Sequence, residues 1–196
     1  MKNVMMILAA VCLLAVGSVS AQGVKGTMAA GGYLGYSIGL GDVFDDIETE
    51  FGSSSSDAGI GFGGHFHYGV SEKFMIGGEI FLQSYSFEFD YDFGGFGSGS
   101  ESESETKANF LATGLMVMNQ DEKKAFFLTG GIGFYDFGDT NIGFNGGILY
   151  RWMVSETVGI YAMPRIHIVL ADDMFQLIQI SAGVQIPFGG NGSMSR

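Results

Sequence analysis

The sequence predicts an all-β chain, an eight-stranded antiparallel up-and-down barrel that crosses a membrane. Three observations carry that expectation. Eight stretches of about a dozen residues alternate apolar with polar or small side chains at period two. The connections between them alternate as well, long and acidic against short. Finally, 33 of 196 residues are glycine, which argues against helices because each interior Gly costs about 1 kcal/mol relative to Ala.

At the N-terminus, Lys2, an apolar run from Val4 to Val16 and the small residues from Gly17 to Ala21 read as a secretory leader. Residues 1–21 are assigned to it, 22–188 to the barrel and 189–196 to a short C-terminal tail. The apolar run is too short for a spanning helix, which needs about 20 residues. Cys12 sits inside that run, away from any lipidation point, and it is the chain's one cysteine. The mature chain is therefore expected to carry no disulfide, no thiolate nucleophile and no cysteine-based metal site. Loss of Lys2 takes the net charge from −12 to −13. So acidic a chain is a poor match for nucleic acid, whose phosphates call for Lys and Arg. Yet 46% of residues are hydrophobic and the mean hydropathy is +0.26. Those apolar side chains need a destination other than one buried core.

The candidate strands run over 27–40, 58–70, 74–87, 107–118, 125–137, 142–153, 158–170 and 175–188. The seventh shows the logic. Val158, Ile160, Ala162, Pro164, Ile166 and Ile168 share one face, while Gly159, Tyr161, Met163, Arg165 and His167 share the other. The second, sixth and eighth sort the same way, with His65 and His67, Arg151, and Gln179 and Gln185 opposite the apolar stripe. A Lys or Arg facing the bilayer midplane costs about 2–4 kcal/mol, so the apolar faces must look outward. A lumenal polar network is then expected from His65, His67, Glu79, Lys107, Arg151, Arg165 and His167. Two strands sort less cleanly. The fourth can be phased either way from Leu111. The third carries Ile76, Ile80 and Leu82 on one face but Tyr85, Phe87, Phe89 and Tyr91 on the other. A β-bulge near Gln83–Ser84 would turn those aromatics toward lipid. The alternative is a hairpin that has left the membrane.

An even strand count puts the connections after strands one, three, five and seven outside the cell. The first two are long and Gly/Ser-rich: 41–57, and roughly 88–106 with its alternating Ser and Glu from Ser98 to Glu105. Such a run reads as a solvated disordered loop. Most of the 21 acidic residues fall on this side, while the short turns hold Lys73, Lys123 and Lys124.

The last strand carries Ser181, Gly183, Ile186 and Phe188 in the order polar, glycine, hydrophobic, aromatic. This spacing resembles the signal by which outer-membrane barrels engage their assembly machinery. With the strand pattern, the mature chain resembles the eight-stranded outer-membrane β-barrel family of the OmpA membrane-domain and OmpX type. It departs from that pattern in continuing past Phe188. The resemblance implies a cell outer membrane location, contact with lipid and lipopolysaccharide, no cofactor, and a structural or adhesive role. Divalent cations or surface ligands at the acidic loops are the expected partners.

Two other functions stay open at this stage. The first is a narrow porin-like channel for small solutes. Gly31, Gly35, Gly39, Gly59, Gly61 and Gly63 would make a wall without bulk, with Phe81, Phe127, Tyr161 and Arg165 supplying it elsewhere. The eight-strand rule favours a filled interior. The second is a lipid-modifying enzyme, against which stands the sequence after His167: Ile168 and Val169, with no adjacent Ser. A metal held by His65, His67 and Glu79 lacks a complete ligand set. No catalytic and no metal site is therefore assigned.

Overall fold

The computed structural model describes residues 24–40, 47–49, 52–57, 59–92, 98–121, 123–136, 140–171 and 175–189. The leader assigned to 1–21, and the tail beyond Gly189, lie outside the described residues. The strands are β1 (Thr27–Leu40), β2 (Ile47–Thr49), β3 (Gly52–Asp57), β4 (Ile60–Gly69), β5 (Phe74–Asp92), β6 (Ser98–Gln120), β7 (Lys124–Asp136), β8 (Thr140–Met153), β9 (Gly159–Leu170) and β10 (Phe175–Gly189). Every pairing among them is antiparallel.

Eight of the ten close into a ring. The order runs β5-β4-β1-β10-β9-β8-β7-β6, and β5 pairs with β6 to complete it. Closure at β1–β10 extends over the whole of β1, from Thr27 opposite Gly189 to Leu40 opposite Gln176. A closed wall satisfies each strand's backbone from its two neighbours, which is the condition a strand must meet to cross hydrocarbon.

The side chains sort as that environment demands. Leu34 and Ile60, at 68% and 70% exposure, head an exterior of Leu, Ile, Val and aromatic side chains. Toward the short turns the exterior carries Tyr68, Phe74, Tyr150, Trp152 and Phe188; toward the other end it carries Tyr36, Phe62, Phe110, Phe134 and Phe144. Two aromatic girdles around an aliphatic band mark a transmembrane barrel. Inside are Glu79, Arg151, Arg165, the three histidines and several amides.

One pair of alternatives is decided and two expectations needed correction. No bulge interrupts β5 at Gln83–Ser84; its pairing with β6 is continuous from Phe74 to Asp92, past the end of β6–β7 pairing at Phe110, as the hairpin alternative requires. The irregularity sits on β6 instead, where the register with β7 shifts between Val117 and Asn119. That strand's phase is settled: Leu111, Thr113, Leu115 and Val117 face inward. The Ser-Glu run is not a disordered loop but the first part of β6, paired residue by residue with β5. The connection 41–57 likewise contains β2 and β3, and β3 pairs with β5 from Ser86 to Tyr91. A four-stranded sheet thus rises past the ring on one side.

At the short-turn end, the Val24 amide donates to Glu72 O at 3.1 Å and that of Gly26 to Gly69 O at 2.8 Å. Gly26 makes the bend into β1 with φ of +77°, a conformation open to glycine at little cost. Val24 is buried there, against the bare backbone of Gly69. A second lapse marks the wall itself. On β8 and β9, pairing is continuous to Gly147–Arg165 and resumes at Tyr150–Ala162. The residues between stand opposite Met163 and Pro164, and proline has no N–H to give a ladder. The Met163 carbonyl takes a hydrogen bond from Ser181 Oγ at 3.0 Å.

Candidate functional site

Period-two alternation aims every second side chain of the wall strands into the lumen, so residues far apart in sequence meet across it. At its centre Arg165, 2% exposed on β9, reaches Glu79 on β5. Its Nη1 donates to Glu79 Oε2 at 2.7 Å and its Nη2 to Oε1 at 2.6 Å. The same Nη2 donates to Gln179 Oε1 at 2.5 Å. Tyr33 Oη donates to Glu79 Oε1, and the Arg165 guanidinium carbon lies 5.8 Å from the Tyr33 ring centre. This two-pronged pair has the geometry that makes Arg–carboxylate contacts strong.

The histidines are distributed around the pair. His65 is the cross-strand partner of Glu79, yet it bonds elsewhere. Its Nδ1 lies 3.2 Å from Tyr161 Oη and its Nε2 lies 3.1 Å from Gln185 Nε2. His67 Nε2 meets Thr113 Oγ1 at 2.8 Å. His167 Nδ1 meets Tyr135 Oη at 2.8 Å, with its ring edge-on to the Tyr135 ring. Arg151 Nη1 donates to Gln185 Oε1 at 3.0 Å, and its guanidinium carbon lies 5.3 Å from the Phe127 ring centre. Lys107 stands apart. It pairs with Glu105 and, at 4.0 Å, with Asp136, on the side opposite the short turns. Of the C-terminal set, Ser181 is buried against Met163, Gly183 lies beneath Tyr161 and Tyr33, and Ile186 and Phe188 face outward.

Glycines and large side chains interlock. A Cβ on Gly63 would lie 2.5 Å from Tyr33 Cζ, and one on Gly31 would lie 2.7 Å from His65 Nε2. One on Gly143 would meet Tyr135 at 2.7 Å, one on Gly183 would meet Tyr161 Oη at 2.8 Å, and one on Gly147 would meet Arg165 Cγ at 2.8 Å. The bare positions Gly31 of β1 and Gly63 of β4 are therefore occupied by rings, and Gly147 of β8 by the Arg165 stem. Toward the short turns the filling becomes apolar, with Met75, Leu115, Val117, Phe127, Leu149 and Met163 all buried.

Chemically, this centre neutralises and packs. Glu79 is committed to Arg165 and Tyr33, so it is not available as a metal ligand beside His65 and His67. Among the described residues no group of three or more His, Cys, Asp or Glu converges as a metal site would require. His167 Nδ1 holds a tyrosine, and no hydroxyl is bonded to its buried Nε2. Sequence reasoning missed Tyr33, Tyr135 and Thr113 as partners. Their strand phase, shared with Gly31, Gly133 and Leu111, was the signal that could have found them.

No protein-family model and no curated protein matches the chain. Among solved structures it is similar to the outer membrane protein OprG from Pseudomonas aeruginosa: 10% identity over 88% of this chain and 100% of that one, TM-score 0.49. It is also similar to Neisserial surface protein A, 11% identical over 84% and 100% of the two chains, TM-score 0.49. A third is Ail, the attachment invasion locus protein of Yersinia pestis, 11% identical over 84% and 99%, TM-score 0.45.

Proposed function

We propose that this chain is a non-enzymatic barrel of the cell outer membrane whose task is display: a filled, rigid cylinder that carries an acidic, serine-rich sheet on the cell surface. The observation that carries this reading is the β5–β6 hairpin. Pairing of β6 with β7 ends at Phe110, but β5 and β6 stay paired through twelve more positions, from Phe81–Asn109 to Asp92–Ser98. At about 3.4 Å per residue that is roughly 40 Å of strand, only partly within the ring. β3 and β2 widen it. The polar pattern of 98–105 suits water on both faces. Its partners are proposed to be divalent cations, lipopolysaccharide bridged by them, or external surfaces of basic character.

The interlocked interior supports a structural barrel over a solute channel, and His167, which meets Tyr135 through Nδ1 and no serine through Nε2, supports a non-enzymatic one. Cys12 is the one cysteine of the chain, so introduced thiols report cleanly once the leader is gone. Ser102→Cys should react with an impermeant maleimide on intact cells, and Ser155→Cys only after permeabilisation. The reverse pattern would invert the orientation. Excising 85–105 in favour of a two-residue Asn-Gly turn should leave a heat-modifiable folded band while abolishing binding to basic or cation-bridged surfaces. Unchanged binding by the trimmed barrel would end the display reading, and planar-bilayer conductance by it would revive the channel.

A further inference from the structure

The described lumen holds two buried guanidiniums and one buried carboxylate, and that carboxylate belongs to Arg165. Arg151 is 7% exposed, and no described carboxylate forms an ion pair with it. Its surroundings offer dipoles and a ring instead of charge. Nη1 donates to Gln185 Oε1, whose own amide nitrogen lies against His65, so the amide oxygen is aimed at the arginine. Phe127 lies over the guanidinium, and the buried Nε has no hydrogen-bond partner. A buried cation left in this condition is unfavourable unless an opposite charge approaches it.

We infer that the lumen binds a small inorganic anion of chloride size at Arg151, reached from the short-turn end. Arg151 is two residues from Met153, the last of β8, so its Cα lies about 7 Å of strand from the rim. An ion arriving there need not pass the Glu79–Arg165 pair. On the adjoining strand β9, the bare backbone of Gly159 receives the arginine stem: a Cβ there would lie 3.0 and 3.1 Å from Arg151 Cγ and Cδ. With Phe127 on the guanidinium face and Gln185 on Nη1, the remaining N–H edge suits a monatomic anion better than a bulky one. Gln185 thereby acts as the neutral second wall of the site and positions the guanidinium for it.

The test uses the whole barrel refolded in a non-ionic detergent, its thermal midpoint read from heat-modified gel migration. Sodium chloride is exchanged for sodium gluconate, a bulky anion, at constant ionic strength. At about five times the dissociation constant, chloride should raise the wild-type midpoint by roughly 2–4 °C. Gln185→Glu places a carboxylate where the amide oxygen sits 3.0 Å from Nη1. That variant should melt higher than wild type in gluconate and lose the chloride dependence. Arg151→Met should also lose it. Equal wild-type midpoints in the two salts overturn the inference, as does a chloride shift that survives in both variants. Should neither variant fold, the ³⁵Cl resonance with wild-type protein decides: excess linewidth over the detergent blank supports the site, and none removes it.

Discussion

Replacing Glu79 with Gln tests whether the lumenal ion pair is a structural strut. The substitution keeps the volume and removes the charge. Arg165 has a side chain with 0% exposure and Glu79 one with 2%, so neither can be rescued by water. Breaking a buried pair by removing one partner costs about 3–5 kcal/mol, because the other is left as an uncompensated charge. Gln179 and Tyr33 would still contact the guanidinium, so Glu79→Gln should fall near the lower end, about 3 kcal/mol. The double variant Glu79→Leu with Arg165→Met leaves no charge behind and should recover most of that loss, ending within about 1–2 kcal/mol of wild type. The assay is equilibrium urea unfolding in lipid vesicles. It can be followed by the fluorescence of Trp152, the only tryptophan, which sits on the lipid face. A single variant that loses under about 1 kcal/mol, or a double variant as unstable as the single one, would refute the assignment of the pair as the lumen's central electrostatic contact.

Three further outcomes follow from the geometry. Gly63→Val should destabilise by about 1–3 kcal/mol through collision with Tyr33, whereas Gly146→Ala, with nothing within 4 Å of its Cβ position, should be neutral or slightly stabilising; the same urea assay ranks them. Leu34→Arg, on the lipid face, should cost about 2–4 kcal/mol, and an unaffected midpoint would mean that this face does not meet hydrocarbon. In the turn before β7, the Asp121 carboxylate accepts the amides of Lys123 and Lys124 at 2.8 and 2.7 Å, and these bonds hold its pKa below the usual 3.8. A depressed folded-state value means that the turn's contribution is complete above pH 3.8 and fades as pH falls through the lower folded value. The two amide resonances should shift in that acid window for wild type and not for Asp121→Asn.

The barrel was legible because lipid outside and polar side chains inside give a contrast that repeats every second residue. Arg165 and His167 set against Ile166 and Ile168 leave no second way to phase β9. The fourth barrel strand lacked such contrast: Leu111 and Ala112 are both apolar, and one extra residue near Met118 shifts its register with β7. The Ser-Glu run of β6 was misread for a related reason. Serine alternating with glutamate has period two but is polar in both phases, so composition spoke for a loop while backbone pairing made a strand. In the lumen, adjacency by register was readable, and His65 does lie opposite Glu79. The choice of partner was not. Glu79 turns to Arg165, 86 residues away on a strand across the cylinder, because a guanidinium answers both carboxylate oxygens where an imidazole answers one.

The lapse at Pro164 gives the cylinder a grain. The slipped stitch at Met118 lies close to the short turns, whereas this seam misses stitches at mid-height, where surrounding hydrocarbon offers a freed backbone group nothing in exchange. Deuterium should enter the wall first at Ile148, and a barrel stretched from within should split along the β8–β9 line. Ser181 stands on the far side of β9, where its hydroxyl holds the Met163 carbonyl within an unbroken row, so Ser181→Ala should leave exchange at Ile148 unchanged.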